Sequence, residues 1–61
     1  MKNLTDRQRR NVIRLTKKAQ SLKSDDGEFS FWSGIRDAAA GLPYAGRAYP
    51  DQSSYHLGYR R

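Results

Sequence analysis

The stretch WSGIRDAAAGLPYAGRAYPDQSSYHLGY, Trp32 to Tyr59, decides the fold of this chain. It holds both prolines, all four tyrosines, the single tryptophan, the single histidine and four of the five glycines, so the residues that set backbone geometry and fill space are concentrated in it. Its first part reads as a helix with Ser30 as N-cap, Phe31, Ile35 and Ala38 on one face, and Trp32 and Ala39 flanking them. Phe31 and Trp32 are expected in the core, because little else in the chain has the area to cover a helical pair. Gly41 stands where a left-handed residue closes a helix, and Pro43 stops any continuation.

Leu42 to Gln52 is too rich in Pro, Gly and Tyr for a helix and lacks the alternation of a strand, so it reads as a structured loop. Two readings are open for its aromatics. Tyr44 and Tyr49 pin the loop onto the helices with their hydroxyls at the surface, or they stack, with Arg47 between them, on unpaired RNA bases. Beyond Pro50, Asp51 or Ser53 caps a short last helix in which Tyr55 and Tyr59 form an i, i+4 pair. Gly58 inside that helix points to a close approach by a neighbour.

Working outward towards the N-terminus, Ser24 to Glu28 reads as an acidic turn, so residues 24–29 are expected to be a linker. It lacks the alternating oxygen ligands of a calcium loop, and no metal site is expected there. Before it, Thr5 and Gln8 have the spacing of a capping box, and Val12, Leu15, Ala19 and Leu22 recur at helical steps. A basic amphipathic helix is therefore expected over 5–23. Arg7, Arg10, Arg14, Lys17 and Lys18 fall on its other side, and the sole acid within a turn of any of them is Asp6, four residues before Arg10.

The charge is strongly polarised. Eight of the twelve Lys and Arg lie in the first 23 residues against Asp6 alone, which gives that segment +7, while the remaining 38 residues carry four cations and five acids, or −1. Such a block attracts a polyanion. A chain of 61 residues allows one small domain, and a chain of that size buries only about 60% of its unfolded surface, which leaves little room for an enzyme pocket. Cysteine is absent, which removes disulfides and thiolate metal sites and fits a reducing compartment. His56 has no second imidazole or thiol to work with. No apolar run approaches the roughly 20 residues of a membrane span, and the N-terminus lacks a signal-peptide core. The expectation is an all-α, cytoplasmic, non-enzymatic protein of two or three helices, without cofactor or membrane, monomeric or weakly dimeric.

The spacing of Gly34, Ala38, Gly41 and Pro43, followed by Tyr49-Pro50 and by Tyr55-His56-Leu57-Gly58-Tyr59-Arg60, resembles the ribosome modulation factor family. That family joins a glycine-rich helix, a Pro-Tyr loop and a closing helix with an aromatic-x-x-G-aromatic core, and the resemblance covers about half the chain. Tyrosines stand here where the family has tryptophans, the Pro-Tyr order is reversed, and the basic N-terminal helix is longer. Short proteins of this pattern also occur on mobile elements. The resemblance implies two helices joined by an extended loop over residues 30–61, no catalysis, and binding to the small ribosomal subunit. In the family this blocks messenger-RNA engagement near the 3′ end of the subunit's RNA and promotes inactive ribosome dimers.

The leading expectation is thus an RNA-binding regulator of translation that associates with the ribosome through ribosomal RNA. Arg7, Arg10, Arg14, Lys17 and Lys18 would contact phosphates, Tyr44, Arg47 and Tyr49 would lie nearest the bases, and Arg60 and Arg61 would add charge at the end of the last helix. Two alternatives stay open. One is a small phage- or plasmid-type regulator that binds DNA through the basic helix, and the other is a protein-interaction module that inhibits a host factor through the 12-15-19-22 stripe.

Overall fold

The computed structural model describes residues 3–61, so Lys2 of the basic segment lies outside the described residues. Three helices follow one another, α1 (Asp6–Ser21), α2 (Asp26–Ala39) and α3 (Gln52–Arg60), with a short 3-10 turn at Gly46–Ala48 in the last connection. No strand occurs among the described residues, and the protein is all-α.

The capping box starts α1 as its spacing predicts. Gln8 N–H donates to the Thr5 hydroxyl at 3.1 Å, and Thr5 N–H donates to the Gln8 side chain at 2.9 Å. From Val12 onward the apolar stripe meets the rest of the molecule: Ala19 is buried, and Val12, Leu15, Thr16 and Leu22 are half-buried. Residues 5–10, by contrast, are exposed on every side. One helix therefore does two things, packing with its C-terminal half and projecting with its N-terminal turns.

The second helix begins earlier than expected. Asp25 caps it by accepting the Glu28 N–H at 3.1 Å, and Asp26 and Glu28 occupy the first turn, where a carboxylate suits the positive end of the helix dipole. The acidic stretch read as a linker over 24–29 is thus mostly helix, and the connector shrinks to Leu22–Asp25. Ser30 is not a cap. It is buried within α2, where its hydroxyl accepts the Asp51 N–H at 3.0 Å and ties the start of α3 to the middle of α2.

At the other end, Gly41 has a φ of 72°. Its N–H reaches the Ala38 carbonyl at 3.1 Å while Leu42 N–H reaches Asp37 at 2.9 Å. This is the Schellman pair that satisfies the last free carbonyls of a helix. The Asp51 cap of α3 also forms, with Ser54 N–H donating to the Asp51 carboxylate at 3.1 Å.

The face α2 buries differs from the one its apolar spacing suggests. Ser30, Ser33, Gly34 and Asp37 are buried, while Phe31, Trp32, Ile35, Ala38 and Ala39 are only half-buried on the flanks. The cause is the closeness of α3. A Cβ added at Gly34 would strike the Tyr55 carbonyl and come within 2.8 Å of the Tyr59 nitrogen, and one added at Gly58 would strike the Phe31 carbonyl. The two backbones touch through their glycines, so only small side chains fit along the seam. On its other side α2 meets α1, where Lys18 lies 5.6 Å above the Trp32 ring and Arg36 reaches Thr16. Helix α2 is the central element, and α1 and α3 keep their outer faces free.

Candidate nucleic-acid interface

The outer face of α1 carries the phosphate candidates. Arg7, Arg10 and Arg14 line one shallow depression together with Gln8 and Asn11, and the Arg14 guanidinium is steadied by a 2.8 Å hydrogen bond to the Asn11 side chain. Lys17 is exposed on the same side. None of these four cations has a carboxylate partner, since the one ion pair among the described residues joins Arg36 to Asp37. Lys18, expected with them, is exposed but committed at one edge to the Trp32 ring, a cation–π contact that helps seat α1 on α2.

The loop tyrosines divide between two roles. Tyr49 is half-buried, its ring stacks on Tyr55 at a centroid distance of 4.7 Å, and its hydroxyl accepts a 3.0 Å hydrogen bond from Arg36. It holds the loop down as the anchoring reading expects, but with the hydroxyl turned inward, and one face of its ring is covered by Tyr55. Tyr44 remains 43% exposed. Its ring lies nearly perpendicular to those of Tyr55, Tyr59 and His56, with centroids 5.2, 5.4 and 5.7 Å away. Arg47 is exposed on the 3-10 turn.

Beneath the loop lies a polar hub with no counterpart in the sequence reading. Arg36 Nε donates to Asp37 Oδ1 at 2.6 Å, and the fully buried Tyr55 donates from its hydroxyl to Asp37 Oδ2 at 2.6 Å. The same hydroxyl accepts the Ala45 N–H at 3.1 Å. Tyr59 donates to the Leu42 carbonyl, also at 2.6 Å. Arg36 and Asp37 come from α2, Leu42 and Ala45 from the loop, and Tyr55 and Tyr59 from α3, so the hub fixes these three segments to one another, and Thr16 extends it to α1. Burial works against the Arg36 charge, yet the Asp37 hydrogen bond and charge, with Tyr49, outweigh it and hold the guanidinium above its ordinary range. Burial, reinforced by Asp37, pushes the Tyr55 phenol well above the usual tyrosine range.

On the outer face of α3, Leu57 is 60% exposed. Arg60 and Arg61 are exposed beyond it, with the Arg61 guanidinium 5.8 Å from the Phe31 ring centroid. The expected contacts therefore form two groups on two helices. Arg7, Arg10, Arg14 and Lys17 sit together on α1, while Tyr44, Arg60 and Arg61 belong to the surface of α3 and its loop. Arg36 and Asp37 escaped the sequence reading because a charged pair in mid-helix resembles a solvated face. The available signal was a surplus of tyrosine hydroxyls that had to find partners in so small a protein. No helix among the described residues is long and apolar enough to cross a membrane. Comparison of the chain with protein-family models, curated proteins and solved structures finds no match.

Proposed function

We propose that this protein is a non-enzymatic RNA-binding regulator that associates with the small ribosomal subunit and modulates translation. The observation that carries the reading is the outer face of α1, where Arg7, Arg10 and Arg14 share one depression without a carboxylate among its lining. Helix charge repulsion of this kind costs stability in the free protein and is relieved when a polyanion neutralises it. Docking on phosphates is the simplest use for such a face. The resemblance of Gly34 to Arg60 to the ribosome modulation factor family directs the choice of polyanion to ribosomal RNA, and with it a cytoplasmic location. The hub of Arg36, Asp37 and Tyr55 supports the reading indirectly, because it holds α1 and α3 in a fixed relation and so presents two surfaces in one geometry.

The test is sucrose-gradient fractionation of a lysate that contains the protein, at low and at high salt. Cofractionation with small subunits or ribosome dimers at low salt, and release at high salt, is the expected result. A protein absent from every ribosomal peak at low salt would not be a ribosome-associated regulator.

A further inference from the structure

We infer that the depression on the outer face of α3, between Tyr44, His56 and Leu57, is a pocket for one unpaired base of a single-stranded RNA segment. The inference rests on the RNA-binding reading and adds a second site, on a different helix from the phosphate face.

The pocket is lined by Tyr44, Gln52, Ser53, His56 and Leu57. Tyr44 supplies an aromatic surface already held in place. Three rings brace it at near-perpendicular angles, the ring belongs to a residue that is 43% exposed, and its hydroxyl lies so close over Gly46 that a Cβ there would come within 2.5 Å. A braced ring loses little conformational entropy when a base stacks on it. Leu57 adds apolar contact. Gln52 and Ser53 lie one helical turn from His56 and Leu57, are exposed, and make no side-chain hydrogen bond among the described residues. An amide and a hydroxyl together offer donors and acceptors to the edge of a base, which is how unpaired RNA is read.

Charge favours the same occupant. No acidic side chain lines this pocket or the adjoining depression of Phe31, Leu57, Arg60 and Arg61, and Leu57 belongs to both. Arg60 stands one turn beyond His56, placed for the phosphate next to the bound base. A folded protein partner fits less well. Tyr44 and Leu57 are the only apolar side chains of the pocket, whereas a stable protein interface covers about 800 Å2 on each partner.

The experiment measures binding of the whole chain to a short, labelled single-stranded oligouridylate and to a duplex of equal length by fluorescence anisotropy. His56 is the only histidine, so its imidazole proton signals are followed by NMR in the same titration. The wild-type protein is expected to prefer the single strand, and its His56 signals to move as the oligonucleotide binds. Tyr44→Leu should weaken binding about tenfold while leaving the salt dependence unchanged, because it removes a stack and no charge. Gln52→Ala with Ser53→Ala, both exposed, should weaken it about fivefold. The wild-type NMR titration keeps the proposal testable even if Tyr44→Leu fails to fold. RNA binding that leaves the His56 signals in place, equal affinity for the duplex, or wild-type affinity in both variants would overturn the pocket and leave the α1 phosphate face standing. Binding of an acidic peptide, but not of the oligonucleotide, at His56 would overturn it in favour of a protein partner. Absence of any RNA binding at low salt would overturn the pocket together with the RNA-binding reading.

Discussion

The Tyr55 hydroxyl, on a residue with no solvent exposure, donates to the Asp37 carboxylate at 2.6 Å while accepting the Ala45 N–H at 3.1 Å. One atom therefore serves α2, the loop and α3 at once. Tyr55→Phe leaves both partners short of a bond inside the protein, and a buried hydrogen bond to a charged group is worth about 2 kcal/mol. The expected loss of unfolding free energy is of that size, read from urea titrations followed by far-UV circular dichroism. An unchanged midpoint would mean that water replaces the hydroxyl without cost.

The same residue sets a pH dependence. Its phenol is raised in the folded protein, by burial first and then by Asp37, whereas the unfolded chain carries a tyrosine of ordinary pKa near 10. The neutral form is thus favoured in the fold, and its contribution is fully present below about pH 10. Above that pH the unfolded chain ionises first, and stability should fall by up to about 1.4 kcal/mol per pH unit until the folded phenol also ionises. Subtracting the pH profile of Tyr55→Phe from that of the wild type isolates this slope. A flat difference above pH ~10 would contradict it.

Gly58→Ala tests the helix seam. Helix propensity alone predicts a gain of about 1 kcal/mol. The added Cβ would instead strike the Phe31 carbonyl and lie 3.2 Å from the Ile35 nitrogen, backbone atoms that cannot swing aside. A net loss of about 2 kcal/mol is expected, as for an overpacked core. Thermal melts should show a lower midpoint, and a higher one would mean that the two helices separate easily.

For the phosphate face, Arg10→Gln, Arg14→Gln and Lys17→Gln combined remove three contacts. The slope of log affinity for single-stranded RNA against log salt should become shallower by about 2, with the melting midpoint equal to or above that of the wild type because repulsion on α1 is relieved. An unchanged slope would place the RNA elsewhere.

Lys18→Gln is expected to behave differently from its neighbour. Its ammonium lies 5.6 Å from the Trp32 ring centroid, so its removal should cost about 0.5 kcal/mol of stability. The Trp32 emission maximum should shift with it, and a Lys17→Gln control should leave that emission where it was.

Where a backbone signal was local, the sequence was readable. Thr5 and Gln8, and Gly41 with Pro43, are short-range devices whose geometry follows from a few neighbouring residues, and each is found where its spacing put it, while of the two caps open for the last helix Asp51 is the one that forms. Gly58 likewise announced a close neighbour, though not which one. The start of α2 was misplaced because Asp25 and Ser30 are both competent caps, and an acidic first turn looks the same as an acidic loop until the chain is folded. The buried face of α2 was hidden for a different reason. Apolar periodicity assumes that a core is filled by large side chains, whereas here Gly34 faces α3 because the backbones touch there, and Ser30 and Asp37 face it because they accept hydrogen bonds from Asp51 and Tyr55. Tyr49 and Tyr44 could not be told apart in sequence, since which ring is covered depends on the loop's path over Tyr55. The arginines of α1 were legible as a face from their 100° spacing, but that the helix packs with one half and projects with the other depends on the length of α2 beneath it.

The arrangement of the aromatic residues makes the protein its own reporter. The single indole sits at the joint between α1 and α2, its Nε1 donating to Glu28 at 3.1 Å, whereas the stacked tyrosines lie at the joint between α2 and α3. Lifting of the N-terminal helix should therefore appear in tryptophan emission, and loosening of the C-terminal half in the tyrosine band of the near-ultraviolet dichroism. Two wavelengths, with no dye attached, follow the two halves of the molecule separately, and a titration with RNA would reveal which half responds first.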